Sequence, residues 1–302
     1  MVFGPDGMLY ISVGDRDGTT SSDQSSARPQ AQKLDNHIGK ILRVREDGSV
    51  PADNSFVNTP DAKSEIYSYG HRNVYGIAWD PRTGEMLASE LGPAGGDEIN
   101  RIIPGRNYGW PLVSMGRHYS GSLVSDQPWH RDGMDDPLFF WNPAFNPENM
   151  FYYTGDKFPR LSGSLMIAGA GSKTVAQMLI NDDFIQQGDT MLNELNVRFR
   201  DIRQGPDGYI YVLTEGRLRG PEDSDGMLLR LEPPSAPAAM PAPRALPCLK
   251  PRGSSRSLNP ALGVTASMSL SSSDARSTSG RRLSAQWPAS AWNSRMLNTP
   301  AS

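Results

Sequence analysis

Chemistry in this 302-residue chain is concentrated in two arginine groups and one glycine-rich loop. In YGHRNVYGIAWD (Tyr69–Asp80) Arg72 and Asn73 stand side by side, a planar cation next to an amide. That pair suits a ligand carrying carboxylates or neighbouring carbonyl groups. An exposed arginine beside a turn-forming asparagine accounts for the same dipeptide. In VRFRDI, Arg198 and Arg200 are two apart, so on a strand both guanidinium groups leave the same face. Two such cations repel unless an anion lies between them, although a solvated sheet face is the competing reading. In ELGPAGGDEIN, the Gly92 and Pro93 carbonyls with Asp97 and Glu98 supply oxygens suited to a hard cation such as Ca²⁺. Taken alone, a glycine-rich turn explains this loop, and without a Lys-Ser/Thr ending it is no phosphate loop. The four histidines, His37, His71, His118 and His130, lack metal-ligand spacing, and neither a GxSxG elbow nor a Cys–His pair is present.

The elements that must position these groups read as short strands. FGPDGMLYISVGDR (Phe3–Arg16) returns as QGPDGYIYVLTEGR (Gln204–Arg217), and WDPRTGEMLASE (Trp79–Glu90) is a degenerate third copy. Pro-Asp-Gly sets a tight turn, and the β-branched and aromatic run after it sets a strand. Four turn–strand groups follow one another. The first runs from Val2 to Val44, and the second from Glu65 to Ile103. The third runs from Pro137 through Phe151–Tyr153 to Ile167, and the fourth from Val197 to Leu231. No long amphipathic helix interrupts them. Repeated units of this kind predict an all-β fold, a β-propeller with about four blades represented, whereas a β-sandwich explains the repeated turn less well. An incomplete ring would leave sheet edges open.

Composition divides the chain in two. Residues 1–232 hold 22 Lys/Arg against 32 Asp/Glu, whereas 233–302 hold 8 basic residues and the single acidic Asp274 in a Ser/Pro/Ala-rich background. The second segment has no sustained apolar period, so disorder is expected there, and an out-of-frame origin would explain its composition equally. Its arginines are scattered rather than clustered, which speaks against a nucleic-acid arm. The only cysteine, Cys248, lies in that segment, which excludes intrachain disulfides. No run is long enough for a membrane helix, and Met1–Val13 reads as a strand rather than a signal peptide.

Taken together, FGPDGMLYISVGDR, AQKLDNHIGKILRV, EIYSYGHRNVYGIAWD, ELGPAGGDEIN, GRNYGWP, RHYSG and RFRDIRQGPDGYIYVLTE resemble the pyrroloquinoline quinone (PQQ)-dependent aldose sugar dehydrogenases of the glucose/sorbosone dehydrogenase family. The resemblance covers residues 1–232 and implies a six-bladed propeller. It also implies oxidation of aldose sugars at C1 to lactones, PQQ and Ca²⁺ as cofactors, an external electron acceptor, and a periplasmic or secreted setting. By the same resemblance Arg72 and Asn73 contact PQQ near its quinone oxygens, Tyr119 lines the site, and Arg198 and Arg200 pair with the cofactor carboxylates. The Gly92 and Pro93 carbonyls would hold the catalytic Ca²⁺, and the Glu98 carboxylate with the Tyr108 carbonyl a second, structural one. Gly171 aligns with a cofactor-binding lysine of the relatives, and Lys173 stands two residues on. The family's catalytic histidine aligns upstream of Met1, so no catalytic residue is assigned here and impaired turnover is expected. A non-catalytic propeller that binds Ca²⁺ or a small ligand is the alternative.

Overall fold

The computed structural model describes residues 1–16, 27–181, 184–216 and 226–233, together with the backbone of 266–270 and 283–285. Its strands form four antiparallel sheets taken up in chain order. The first contains β1 (Val2–Phe3), β2 (Leu9–Val13), β3 (Lys40–Val44) and β4 (Ile66–Tyr69). The second contains β5 (Val74–Trp79), β6 (Met86–Glu90), β7 (Asp97–Ile102) and β8 (Phe139–Trp141). The third contains β9 (Pro147–Tyr152), β10 (Leu165–Gly169), β11 (Thr174–Asn181) and β12 (Phe184–Met191). The fourth contains β13 (Phe199–Gln204), β14 (Ile210–Thr214) and β15 (Leu228–Glu232), extended by β16 (Ala266–Leu270) and β17 (Leu283–Ala285). This is the propeller-like, all-β arrangement that the turn–strand repeats imply.

Both copies of the Pro-Asp-Gly turn close in the same way. Gly4 N–H donates to the Met8 carbonyl at 2.8 Å, and Gly205 N–H to the Tyr209 carbonyl at 2.8 Å. Gly7 and Gly208 take φ of 74° and 80°, which a side chain would strain. The tyrosine two residues into each following strand returns its hydroxyl to the turn aspartate, Tyr10 to Asp6 at 3.1 Å and Tyr211 to Asp207 at 2.8 Å.

Three cores lie between successive sheets, and single strands feed two of them at once. In β6, Met86 and Ala88 face a cluster with Tyr10, Ile41, Val74 and Ile77, while Leu87 faces one with Ile99, Met150, Leu165 and Ile167. In β10, Leu165 and Ile167 join that second cluster, and Met166 and Ala168 join a third with Phe199, Ile202, Ile210 and Val212. Alternate residues point to opposite faces, so a strand buried on both faces reads as a continuous apolar run.

Two groupings expected from the sequence are corrected. Ile66–Tyr69 does not open the second sheet: it pairs with β3 and completes the first. Likewise Phe139–Trp141 pairs with β7 and completes the second rather than opening the third. Each follows a long loop, and the outer edge of the sheet just built offers unpaired backbone groups for it to satisfy. The strands Thr174–Asn181 and Phe184–Met191 were not anticipated; β12 carries Gln186, Gln187, Gly188 and Asp189, a polar face suited to an outer strand. Within 233–302, where disorder was expected, β16 pairs with β15 and β17 with β16. They continue the ladder along the edge that β15 would otherwise present. The rest of that expectation, beyond Pro233, lies outside the described residues. Among the described residues no helix is long and apolar enough to cross a membrane.

Candidate functional site

The inner strands of the second, third and fourth sheets begin alike. The carbonyls of Asn73, Asn146 and Arg198 accept the N–H groups of Leu91, Ala170 and Glu215 at 2.8, 2.9 and 2.8 Å. Just inside each position the inner strand carries one extra residue relative to its partner, at Val74/Gly76 in β5, opposite Ala168 in β9, and at Phe199/Asp201 in β13. Such bulges bend the strand and re-aim side chains. The residues concerned, Tyr75, Glu148 and Arg200, all line one cavity of about 470 Å³, together with Met1, Val2 and Trp79.

Arg198 and Arg200 meet on a carboxylate of the chain itself. Arg198 Nε lies 3.0 Å and Arg200 Nη2 2.8 Å from the same oxygen, Oε2 of Glu215. Arg200 Nη1 also donates to Glu148 Oε1 at 2.6 Å. Burial pushes the Glu148 carboxyl up, and the Arg200 bond opposes that rise. The side chains of Arg198 and Arg200 remain 40% and 37% exposed, so the pair can be reached from outside. Arg198 precedes β13 rather than lying within it, and Arg200 is the extra residue of the bulge in that strand.

Arg72 is held from beneath. One Glu90 oxygen accepts its backbone N–H, and the other lies 3.0 Å from His71 Nδ1. His71 Nε2 meets Ser68 Oγ at 2.8 Å, and its ring stacks on Tyr108 at 4.7 Å. The Arg72 guanidinium lies over the Trp110 ring, whose indole N–H donates to the buried Asp15 at 3.0 Å. Its Nη1 donates to the Leu91 and Gly92 carbonyls at 2.8 and 2.7 Å, while buried Nε has no hydrogen-bond partner among the described residues. Asn73 stands beside Gly14, where a Cβ would collide with its amide oxygen.

Of the oxygens expected to hold a cation, the Gly92 carbonyl and the Asp97 carboxylate lie at the same turn. Gly92 N–H donates to Asp97 Oδ1 at 2.8 Å, and a Cβ on Gly92 would strike the Gly95 and Gly96 carbonyls, so only glycine fits. The Gly92 carbonyl already accepts Arg72, which leaves one lone pair. Asp97 is fully buried and takes the Phe145 and Asn146 N–H groups at 2.7 Å each on its second oxygen. Glu98 pairs across β6–β7 with Glu90. Burial and the neighbouring Glu90, Asp97 and Asp136 charges push its carboxyl up to about 8, against the Asn100 amide at 3.2 Å. Massed negative charge of this kind fits a cation held by oxygen ligands. Among the described residues no three His, Cys, Asp or Glu side chains form a metal cluster, so backbone carbonyls such as that of Tyr108 would have to contribute.

The other assignments are scattered. Tyr119 is 61% exposed on a loop. Gly171 abuts Asn146, whose side chain a Cβ there would overlap. Lys173 sits at φ 56° with Nζ 2.9 Å from Asn196 Oδ1, two residues before Arg198. Sequence reasoning missed Asn146, Glu148, Glu90 and Glu215. For Asn146 the available signal was its place just before an inner strand, matching Asn73 and Arg198; the glutamates carried none. Each histidine is engaged: His37 with Glu65, His71 with Ser68 and Glu90, His118 with Arg28, and His130 with Asp136.

Comparison with known proteins agrees with this arrangement. A family profile described as Glucose / Sorbosone dehydrogenase matches residues 1–229. The chain is similar to the aldose sugar dehydrogenase YliI of Escherichia coli (strain K12), 37% identical over 234 residues that cover 77% of this chain and 59% of that protein. The crystal structure of the soluble aldose sugar dehydrogenase from Escherichia coli in the apo-form aligns with TM-score 0.67 at 37% identity, over 76% of this chain and 62% of that one. The PQQ-bound aldose sugar dehydrogenase from Streptomyces coelicolor aligns with TM-score 0.54 at 30% identity, over 76% and 60%. The chain therefore spans about three fifths of the length of these relatives. With its profile match running from the first strand into β15, the chain belongs to the glucose/sorbosone dehydrogenase family.

Proposed function

We propose that residues 1–232 form the cofactor-binding face of a PQQ- and Ca²⁺-dependent dehydrogenase that oxidises aldose sugars at C1 to lactones and hands electrons to an external acceptor. The observation that carries this reading is the convergence of Arg198 and Arg200 on one carboxylate beside a cavity lined by inner strands. A planar polycarboxylate fits that chemistry. PQQ, when bound with Ca²⁺, supplies the electrophilic quinone that accepts hydride. Arg198 and Arg200 bind its carboxylates, and Arg72 and Asn73 orient its quinone edge. Tyr119 and the backbone at Gly171 line the site. The Gly92 and Pro93 carbonyls hold the cation next to it, and Glu98 with the Tyr108 carbonyl holds a second.

The test is reconstitution of the chain with PQQ and Ca²⁺, with dye reduction followed on glucose and other aldoses. Turnover that Arg198→Ala abolishes supports the reading, and no PQQ binding at all refutes it. A second reading, ligand binding without turnover, is favoured by one observation: His71, the histidine beside Arg72, is buried with both ring nitrogens engaged by Glu90 and Ser68. PQQ binding with no dye reduction is its signature.

A further inference from the structure

The anion that Arg198 and Arg200 require is already supplied by the chain. We propose that Glu215 is an internal counterion that competes with a ligand carboxylate for these two arginines, so that ligand binding here exchanges one carboxylate for another. The inference rests on the proposed function only for the identity of the natural ligand; the exchange itself follows from the geometry.

Both guanidinium contacts fall on the single oxygen Oε2, although a carboxylate facing an arginine fork is best bound through two parallel bonds. Neither contact is well aligned: Oε2 of Glu215 and Nε of Arg198 are buried at ion-pair distance without a hydrogen bond. Glu148 differs, since it accepts a well-formed 2.6 Å bond from Arg200. Both glutamates hold the Arg200 charge, but only Glu148 does so through a directed bond, which makes Glu215 the one to exchange. Two arginines and two glutamates balance, so an incoming carboxylate meets no net attraction until the Glu215 side chain turns away. The backbone need not move with it, because Glu215 N–H is tied to the Arg198 carbonyl at 2.8 Å.

The experiment measures binding of two probes, PQQ and pyridine-2,6-dicarboxylate, by calorimetry to the full chain and to Glu215→Gln, with Arg198→Ala as the negative control. Glu215→Gln keeps the shape and removes the competing charge, and both probes are expected to bind about tenfold tighter to it, the equivalent of one charge-assisted bond. Unchanged or weaker binding, or no binding of either probe to either protein, overturns the proposal. Tighter dicarboxylate binding with no PQQ binding leaves the exchange standing and removes the cofactor reading. PQQ binding that Glu215→Gln does not alter does the reverse. Should the Gln variant not fold, Glu215→Asp keeps the charge but falls one methylene short; its affinity is expected between those two, and affinity equal to that of the unaltered chain overturns the proposal.

Discussion

Glu90 and His71 form a buried pair, Oε2 to Nδ1 at 3.0 Å, and the second Glu90 oxygen accepts the backbone N–H of the residue after that histidine. One carboxylate thus fixes both a ring and the start of the arginine that reaches toward the Gly92 turn. Glu90→Ala leaves the Arg72 N–H and the imidazole without their partner, so a loss of about 3 kcal/mol in unfolding free energy is expected. Glu90→Gln retains one acceptor oxygen and should lose less. Urea unfolding of the two variants measures the order; equal losses would show that the charge and not the acceptor is what matters.

Lys40 is fully buried with no carboxylate at hydrogen-bond distance among the described residues, its ammonium donating to the carbonyls of Ile38, Ala31 and Gln30 at 2.7, 2.9 and 3.2 Å. Burial lowers its pKa from 10.5 to about 8. Between those values the unfolded chain holds a proton that the folded one has released, so this residue makes stability rise with pH from about 8 to 10.5. Below pH 8 both states are protonated and its contribution is constant. Removing the group in Lys40→Met is expected to abolish that rise, about 3 kcal/mol in full. Comparing the denaturant midpoints of the two proteins at pH 7.5 and 9.5 checks it; a difference that does not change with pH would refute it.

How far the sequence revealed this site depended on whether a residue's role was local. The Pro-Asp-Gly turns were legible because each is closed by bonds within five residues. Arg198 and Arg200 were legible as an anion-seeking pair, but the anion proved to be Glu215, brought beside Arg198 by antiparallel pairing of β13 with β14. Glu148 reaches Arg200 across sheets, over 52 positions of sequence, and no local pattern reports that. The grouping of strands failed for the same reason. Whether a strand after a long loop closes one sheet or opens the next is decided by the edge it meets, not by its own residues.

Burial and the neighbouring carboxylates push the Glu98 carboxyl up to about 8, so near neutral pH it holds its proton, and a cation bound there would displace that proton and be stabilised by the freed charge. Calcium at about a hundredfold excess over its dissociation constant is expected to stabilise the chain by about 2.7 kcal/mol per site. Glu98→Gln should remove the part that depends on this carboxylate and leave the part due to the Gly92 and Pro93 carbonyls. Thermal unfolding with and without Ca²⁺ on both proteins separates the two. An undiminished calcium response in Glu98→Gln would place the cation elsewhere.

The two Pro-Asp-Gly turns have the same sequence and the same bonds but different surroundings, which allows local and tertiary contributions to be told apart. Tyr10 is buried, packs edge-on against Tyr67 and Trp79 at 5.1 Å each, and bonds Asp6, which also receives Arg43 Nε at 3.0 Å. Tyr211 makes the equivalent bond to Asp207 at the surface, where water replaces it readily. Tyr10→Phe removes a part-buried bond from an oxygen that keeps its Arg43 partners, and is expected to cost about 1 kcal/mol. Tyr211→Phe removes the same group and should leave the unfolding midpoint unchanged. Chemical denaturation of both single variants reads the contrast directly. Equal effects at the two sites would mean that the bond within the turn, rather than its burial, sets the stability of the hairpin.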